Sequence, residues 1–402
     1  MADALFDPDQ RFTCSQCGNC CRRGWEIAVS AGEAELYHRS EAGRWFREAT
    51  DGAEGATRDP FEPISSGLHR IRKRADGACG FLSLENRCRI HEELGGDRKP
   101  LTCRLYPFQF HETVAGPVMT ASFACPTIVA NEGAPVRAGL QALLSLRGKP
   151  PGPPVALRFS DGRPIAPRTL ATLRAVFRKM LDGSADLGEA SLRIAATLDD
   201  LTRHRVVRLK DEAFAEYVEL TARHAAEHGQ RPAPRTPSAL GRWFFRGLVF
   251  MALAARLQRT ERRSLGLRLR LFGLLLHTHG LGPPACGIDL ARVQGARLPL
   301  HDPAVMALAR RYLTAAVETL GTGRLPVADE LCLAAAIVDV AVVLGALRAV
   351  DAGRPGVDAA SFTQGLMDAT DLSHIEGGGW LGSFLRTFIA GTESFAILAG
   401  GA

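Results

Sequence analysis

The segment Cys14-Ser-Gln-Cys17-Gly-Asn-Cys20-Cys21 places four thiols within eight residues, a density that a packed apolar core does not require. Gaps of two residues let successive cysteines turn inward on one metal ion. The bias continues along the chain. Eight of the ten cysteines, Cys14, Cys17, Cys20, Cys21, Cys79, Cys88, Cys103 and Cys125, fall in the first 125 residues, and only Cys286 and Cys332 follow. The sequence therefore predicts a metal-binding front and a chemically ordinary remainder.

Thiolates are soft ligands that suit zinc and iron–sulfur clusters. Four complete a tetrahedral zinc site or hold a [4Fe–4S] cluster, so eight fill two such sites or one site with bystanders. Cys-x-x-Cys-x-x-Cys and Cys125-Pro126 echo a ferredoxin run, but Cys21 directly after Cys20 interrupts that pattern. The first gap is also shorter than in radical enzymes that use S-adenosylmethionine. Neighbouring residues point their side chains differently, so Cys20 and Cys21 are expected to serve different sites, or one is a spare nucleophile. A thiol redox sensor stays open, because both Cys14-x-x-Cys17 and Cys17-x-x-Cys20 have redox-motif spacing.

The first residues, Met-Ala-Asp-Ala-Leu-Phe-Asp, have neither a basic n-region nor an apolar h-region, which disfavours secretion and a disulfide framework. A reducing, cytoplasmic setting is the expectation. The charge of +6, with 46% hydrophobic and 23% charged residues, disfavours wholesale disorder and a nucleic-acid-coating role. No transmembrane span is expected, because the most apolar windows, Leu331 to Leu347 and Leu248 to Leu257, are short and carry or adjoin charges.

Local patterns predict a mainly α protein: a small irregular α+β cysteine-rich domain over 1–147, a Pro/Gly-rich linker over 148–168, and an α-helical domain over 169–402. In the first, Gly24 to Val29 reads as a strand and about Ala31 to Glu48 as helix, with Leu36, Tyr37, Trp45 and Phe46 on its buried side. Thr50 to Pro63 reads as loop. Cys79 to Ile90 reads as a hairpin holding Cys79 and Cys88 on adjacent strands, Leu94 to Pro107 as a tight loop, and Phe108 to Phe123 as two strands turning at Ala115-Gly116-Pro117. Beyond the linker, Leu170, Leu173, Phe177, Met180 and Leu181 share one helical face, as do Phe214, Tyr217, Val218 and Thr221. Asp302-Pro303 signals a helix start, and two almost wholly apolar helices are expected at 240–258 and 328–349.

Other residues carry weaker signals. His69, His91 and His111 could each replace a thiolate, since imidazole also binds zinc. His277 and His279 read as a helix end, and Cys286 and Cys332 as small buried hydrophobes. Arg259, Arg262, Arg263, Arg268 and Arg270 read as a solvated helix face, because no aromatic residues interleave them. Asp339, within an apolar helix, is expected to pair with an arginine of a neighbouring helix or to mark a ligand cavity.

Taken together, Cys14-x-x-Cys17-x-x-Cys20-Cys21, Cys79-x-Phe81-Leu82, Cys88-x-Ile90 and Arg98-Lys99-Pro100-x-x-Cys103-Arg104-x-x-Pro107 resemble the YkgJ-type cysteine-cluster family, described as chelating zinc or iron. The resemblance covers roughly residues 12 to 126. His91 stands where the family often has Tyr after the Cys-x-Ile unit, and more residues intervene before Pro100. A related branch, the flagellin lysine N-methylases, is similar in joining such a cluster to a longer C-terminal region. That resemblance implies a protein lysine N-methyltransferase using S-adenosylmethionine, although no glycine-rich strand-to-helix motif for that cofactor is present. The leading expectation is a zinc- or iron–sulfur-binding protein with the eight cysteines as ligands. Arg98 and Arg104 would donate to the thiolates, and the helical domain would recognise a protein partner or substrate.

Overall fold

The computed structural model describes residues 4–148 except 24, 51–58, 66 and 75. It further describes 152–227 except 160–162, 185–186 and 203–208, the single residues 249 and 252, and 302–372 except 355 and 371. His277, His279, Cys286, the basic run from Arg259 to Arg270 and most of the expected 240–258 helix lie outside the described residues. The architecture is mainly helical, with small sheets confined to the front of the chain.

Strand β1 (Arg11–Phe12) precedes the smaller of two apolar cores. That core holds the antiparallel sheet β2 (Ala28–Ser30), β4 (Leu68–Ile71) and β3 (Phe61–Ser65), with β4 in the middle. The expected strand over 24–29 thus starts later. Trp25 instead packs on Tyr106, ring centroids 5.0 Å apart. The stretch read as loop up to Pro63 enters β3, because Arg70 reaches across the sheet to pair with Glu62 at 2.6 Å.

The predicted helix is two helices, α1 (Ala31–Arg39) and α2 (Glu41–Thr50). Ser40 separates them by serving both: its hydroxyl donates to the Tyr37 carbonyl at 2.8 Å and accepts from the Gly43 amide at 3.2 Å. Ser30 and Glu33 close a capping box at the start of α1, satisfying two of its unpaired amides. Tyr37 and Phe46 are buried as expected, but Leu36 is 39% exposed, because it lies off the face that α1 presents to the sheet.

Phe81 forms the centre of this core, with ring centroids 5.6 Å from Phe46, 5.9 Å from Phe61 and 6.3 Å from Tyr37. A side chain at Gly80 would come within 2.7 Å of the Arg72 carbonyl and 2.1 Å of the Phe46 ring. Only glycine lets the two segments approach so closely.

The segment from Cys79 to Cys88 is a series of turns and not the expected hairpin. Cys79 bridges to Lys73 and Cys88 to Leu82, each as an isolated pair. With Cys79 and Leu82 buried, the segment folds over the core instead of extending. The expected loop over 94–107 contains the end of α3 (Arg89–Leu94), a single 3-10 turn at Gly96–Arg98 and the short helix α4 (Leu101–Leu105).

The hairpin β5 (Phe108–Thr113) and β6 (Gly116–Ala121) agrees with its sequence signal. It belongs to the larger core, together with α5 (Pro126–Ala130) and α6 (Val136–Arg147), while between these two the exposed strand β7 (Ala134–Pro135) pairs with β1. The same core takes in α7 (Pro167–Gly183), α8 (Leu187–Thr202), α9 (Asp211–Glu227), α10 (Pro303–Glu318), α11 (Val327–Asp351) and α12 (Ala359–Ala369).

Residues 152–156 are exposed, but the described chain between 155 and 165 is tied into the fold. Val155 continues the edge of β5 through Val155 N to Glu112 O at 2.7 Å. Leu157, Phe159 and Ile165 are buried. The face of α7 predicted from sequence is buried in full, and Asp302 caps α10 by accepting from Ala304 N at 2.8 Å.

Helix α11 is long and apolar enough to cross a membrane by length and composition. In this fold 89% of that window is buried among other helices, which accounts for its apolarity. Asp339 within it has no hydrogen-bond partner among the described residues, so the expected arginine pairing is not seen there. Burial pushes its pKa well up.

The Tyr37 hydroxyl donates to the Arg98 carbonyl at 2.7 Å, joining α1 to the segment that carries Cys103. Tyr37→Phe should cost about 1 kcal/mol of stability, read as a lower midpoint in urea with an unchanged slope. An unchanged midpoint would show that this bond does not fasten the two segments.

Candidate metal centre

The Cys14–Cys21 loop owes its shape to two left-handed residues, Gln16 (φ 56°) and Gly18 (φ 71°), which reverse the chain between successive thiols. At Gly18 a side chain would also stand 3.0 Å from the Asn86 carbonyl and 3.2 Å from Leu82. A 3-10 turn over Cys20–Arg22 then closes through Cys21 N to Gly18 O at 3.0 Å.

That turn corrects the expectation that Cys20 and Cys21 diverge. Their sulfurs lie 3.9 Å apart, because consecutive side chains on a helical turn are separated by about 120° and not the 180° of a strand. The hydrogen bond from Cys21 favours the Cys20 thiolate and lowers its pKa. Cys21, which keeps the shared proton and is buried, is pushed far up.

The other four cysteines arrive on separate elements. Cys79 is fully buried and its amide donates to the Cys21 carbonyl at 2.7 Å. Cys88 stands at the start of α3, Cys103 within α4 and Cys125 at the start of α5. Seven of the eight, all but Cys79, line one cavity of about 50 Å³ together with Tyr106, His91 and Lys99. Cys79 lies just behind it, within electrostatic reach of Cys88, Cys20, Cys21 and Cys103.

Burial raises the pKa of Cys79 to about 11 and raises those of Cys88, Cys103 and Cys125. A repeated local device opposes it. The sulfur of Cys79 accepts a backbone N–H from Phe81, that of Cys88 from His91 and Ile90, and that of Cys125 from Ile128 and Thr127. Such bonds favour the ionised sulfur, the form that binds metal.

Lys99 is the cavity's cation and the residue that sequence reasoning missed. Burial works against its charge, but attraction from Cys103, Cys88, Cys14 and Cys20 outweighs this and raises its pKa. Its only sequence signal was its place in Arg98-Lys99-Pro100. Arg98 and Arg104, expected to donate to thiolates, make no side-chain hydrogen bond among the described residues and do not line the cavity. His91 alone of the three candidate histidines lines it. His111 faces a different cavity, 3.3 Å from Thr120, and His69 lies on β4 away from the thiols. Cys332 is a buried small hydrophobe in α11.

Among the described residues, no three Cys, His, Asp or Glu side chains are already drawn to metal-holding distances. The donor set nevertheless fits a thiolate-bound metal or cluster in kind and placement. Seven soft donors line one cavity with an eighth behind it, three of them hold backbone N–H groups on sulfur, and one half-buried cation offsets their charge.

The fold and site thus define a cysteine cluster at the front of the chain, with a donor chemistry that suits zinc or iron. Residues 13–125 match the model of the CxxCxxCC family, described as a "putative zinc- or iron-chelating domain", a match over less than a third of the chain. Comparisons with curated proteins and with solved structures returned no match, so the likeness to flagellin lysine N-methylases rests on the sequence features alone.

Two substitutions test this geometry. Gly18→Ala combines a left-handed backbone with a blocked approach, and should cost about 1–2 kcal/mol and lower the metal bound per chain. Full metal content in that variant would count against the loop geometry. Lys99→Met removes the charge that favours thiolates, so the thiol pKa values rise and the pH of half-maximal metal loading moves upward by roughly one unit. A shift downward, or none, in a pH titration of metal binding would refute the role given to Lys99.

Proposed function

We propose that this chain is a cytoplasmic metal-binding protein whose eight front cysteines hold zinc or an iron–sulfur cluster and whose helical region recognises a protein partner or substrate. The observation that carries this reading is the meeting of seven thiols and Lys99 on one cavity, with the eighth thiol directly behind it. No single ordinary core needs that arrangement, and thiols brought so close oppose one another's ionisation unless a cation holds them.

Support for the helical role comes from a second cavity, of about 150 Å³, where the front hairpin meets α10 and α11. Phe108, Phe123, Tyr312 and Leu333 form apolar walls, and His111 and Arg324 add polar groups. Phe123 lies two positions before Cys125, so a ligand bound there would sit against the segment that carries one of the thiols.

When bound, zinc would supply a closed structural clip, and an iron–sulfur cluster would supply a redox-capable centre. Metal analysis with acid-labile sulfide and an absorption spectrum, on protein purified without oxygen, decides between them. Iron with equimolar sulfide, or zinc without sulfide, is the expected result. Protein that holds neither, and forms Cys-x-x-Cys disulfides reversibly, would overturn this reading in favour of a thiol redox sensor.

A further inference from the structure

Eight thiolates exceed what one zinc ion or one cubane accepts, since each takes four. The cavity must therefore contain bystanders or be divided. Building on the metal-binding reading above, we propose that it is divided into two four-thiolate centres. The inner one comprises Cys21, Cys79, Cys88 and Cys103, the outer one Cys14, Cys17, Cys20 and Cys125, and the two meet at the Cys20–Cys21 edge.

The division follows the two apolar cores. Cys79 is a member of the smaller core, and Cys21, Cys88 and Cys103 pack against that same core. Cys125 is a member of the larger core. No thiol of the inner set belongs to the larger core, and none of the outer set packs on the smaller one.

Backbone and side-chain bonds draw the same line. On the inner side, Cys79 N donates to Cys21 O at 2.7 Å, Arg89 N, next to Cys88, donates to Phe81 O at 2.9 Å, and Tyr37 ties the Cys103 segment to α1. On the outer side, the loop of Cys14, Cys17 and Cys20 is strapped to the segment around Cys125. Asn19 Nδ2 donates to Ala124 O at 2.9 Å, and the hydroxyls of Ser15 and Thr127 lie 3.1 Å apart. Cys125 has Cys17 and Cys20 within electrostatic reach; Cys20 also lies within reach of Cys79, Cys88 and Cys103, at the shared edge, and is assigned outward because, unlike Cys21, it does not pack on the smaller core. Cys21, with Cys79 and Cys88 in reach besides its neighbour Cys20, is assigned inward.

Charge agrees with this placement. Two four-thiolate centres each carry a net negative charge, and two such charges side by side repel. Lys99 has Cys103 and Cys88 of the inner set and Cys14 and Cys20 of the outer set within reach, so its ammonium lies where it attracts both.

The sets also differ in exposure. In the outer set Cys14 and Cys17 are exposed, Cys20 is partly covered and Cys125 is buried, whereas no thiol of the inner set is exposed: Cys79 is buried and Cys21, Cys88 and Cys103 are partly covered. The inner centre thus cross-links a core made from a short stretch of chain, where small size makes such a staple valuable. The outer centre closes over it from the solvent side.

The test is metal per chain in the full-length protein purified without oxygen, for the unaltered chain and for Cys14→Ser, Cys17→Ser and Cys103→Ser, with thermal melting of each. The proposal expects two zinc ions, or eight irons with eight sulfides, in the unaltered chain. Cys14→Ser and Cys17→Ser should each halve that content while the inner core still melts cooperatively. Cys103→Ser should lose the inner centre and lower the melting temperature much further, and because it could fail to fold, the two outer variants carry the test. One centre in the unaltered chain overturns the division. So does a folded Cys14→Ser or Cys17→Ser variant that holds no metal or the full amount. An unaltered chain without any metal overturns the metal-binding reading itself, a separate outcome.

Discussion

Mutual repulsion between thiolates is the constraint on which the front of this protein depends. Seven sulfurs line one small cavity with an eighth, that of Cys79, just behind it, and burial raises the pKa of Cys79, Cys88, Cys103 and Cys125. Unligated, these four keep their protons and act as small hydrophobes, while the bond from Cys21 favours the thiolate of Cys20. Ligated, the eight would join five separate stretches of chain: the Cys14–Cys21 loop, the Cys79 turn, and the starts or bodies of α3, α4 and α5. The local elements are short for the same reason. Helices of five or six residues gain little from their own hydrogen bonds, and their role is to aim a sulfur.

The front is also continuous with the helices that follow. Arg23, directly after the cysteine turn, donates to the Met367 carbonyl on α12 at 3.1 Å and to the Ala124 carbonyl at 3.3 Å. From α10, Arg311 donates to the Ile128 carbonyl at 2.7 Å and to that of Val129, at the far end of the helix that Cys125 begins. Its guanidinium stacks over Phe123, whose ring meets Tyr312 edge-on at 5.0 Å. Movement at the outer cysteines would therefore be felt at α10 and α12, and the second cavity lies along that same contact.

Much of this was legible in the sequence where a signal was local and strongly patterned. The face of α7, the Asp302 cap and the β5–β6 turn all follow from spacing or from one residue's chemistry. The clustering of cysteines gave the cavity its members, because few other folds explain so many thiols in so short a stretch. Signals that depend on tertiary contacts were not readable. Nothing in Thr50 to Pro63 announces β3, which forms because Arg70 and Arg72 offer partners to Glu62. The hairpin pattern of Cys79 to Cys88 was overridden by burial of Phe81 and Leu82. Lys99 was hidden because a lysine in a loop is ordinarily solvated, and only the meeting of distant segments turns it toward sulfur.

The gradient of exposure across the thiols bears on what such a site can do. A closed structural site gains nothing from exposed ligands, because solvent access lets competing ligands and oxidants reach the metal. Here the gradient is built in: Cys79 is 4% exposed, while Cys14 and Cys17 lie on a surface loop held by two glycine-like left-handed turns. The buried side has the character of a staple for the small core. The exposed side has the character of a site that exchanges with its surroundings, and Asn19 and Arg23 fasten it to the segments that lead into the helices. Chemical events at the surface thiols therefore have a short covalent and hydrogen-bonded route to the helical region, whereas those at the buried thiols are confined to the core they hold together.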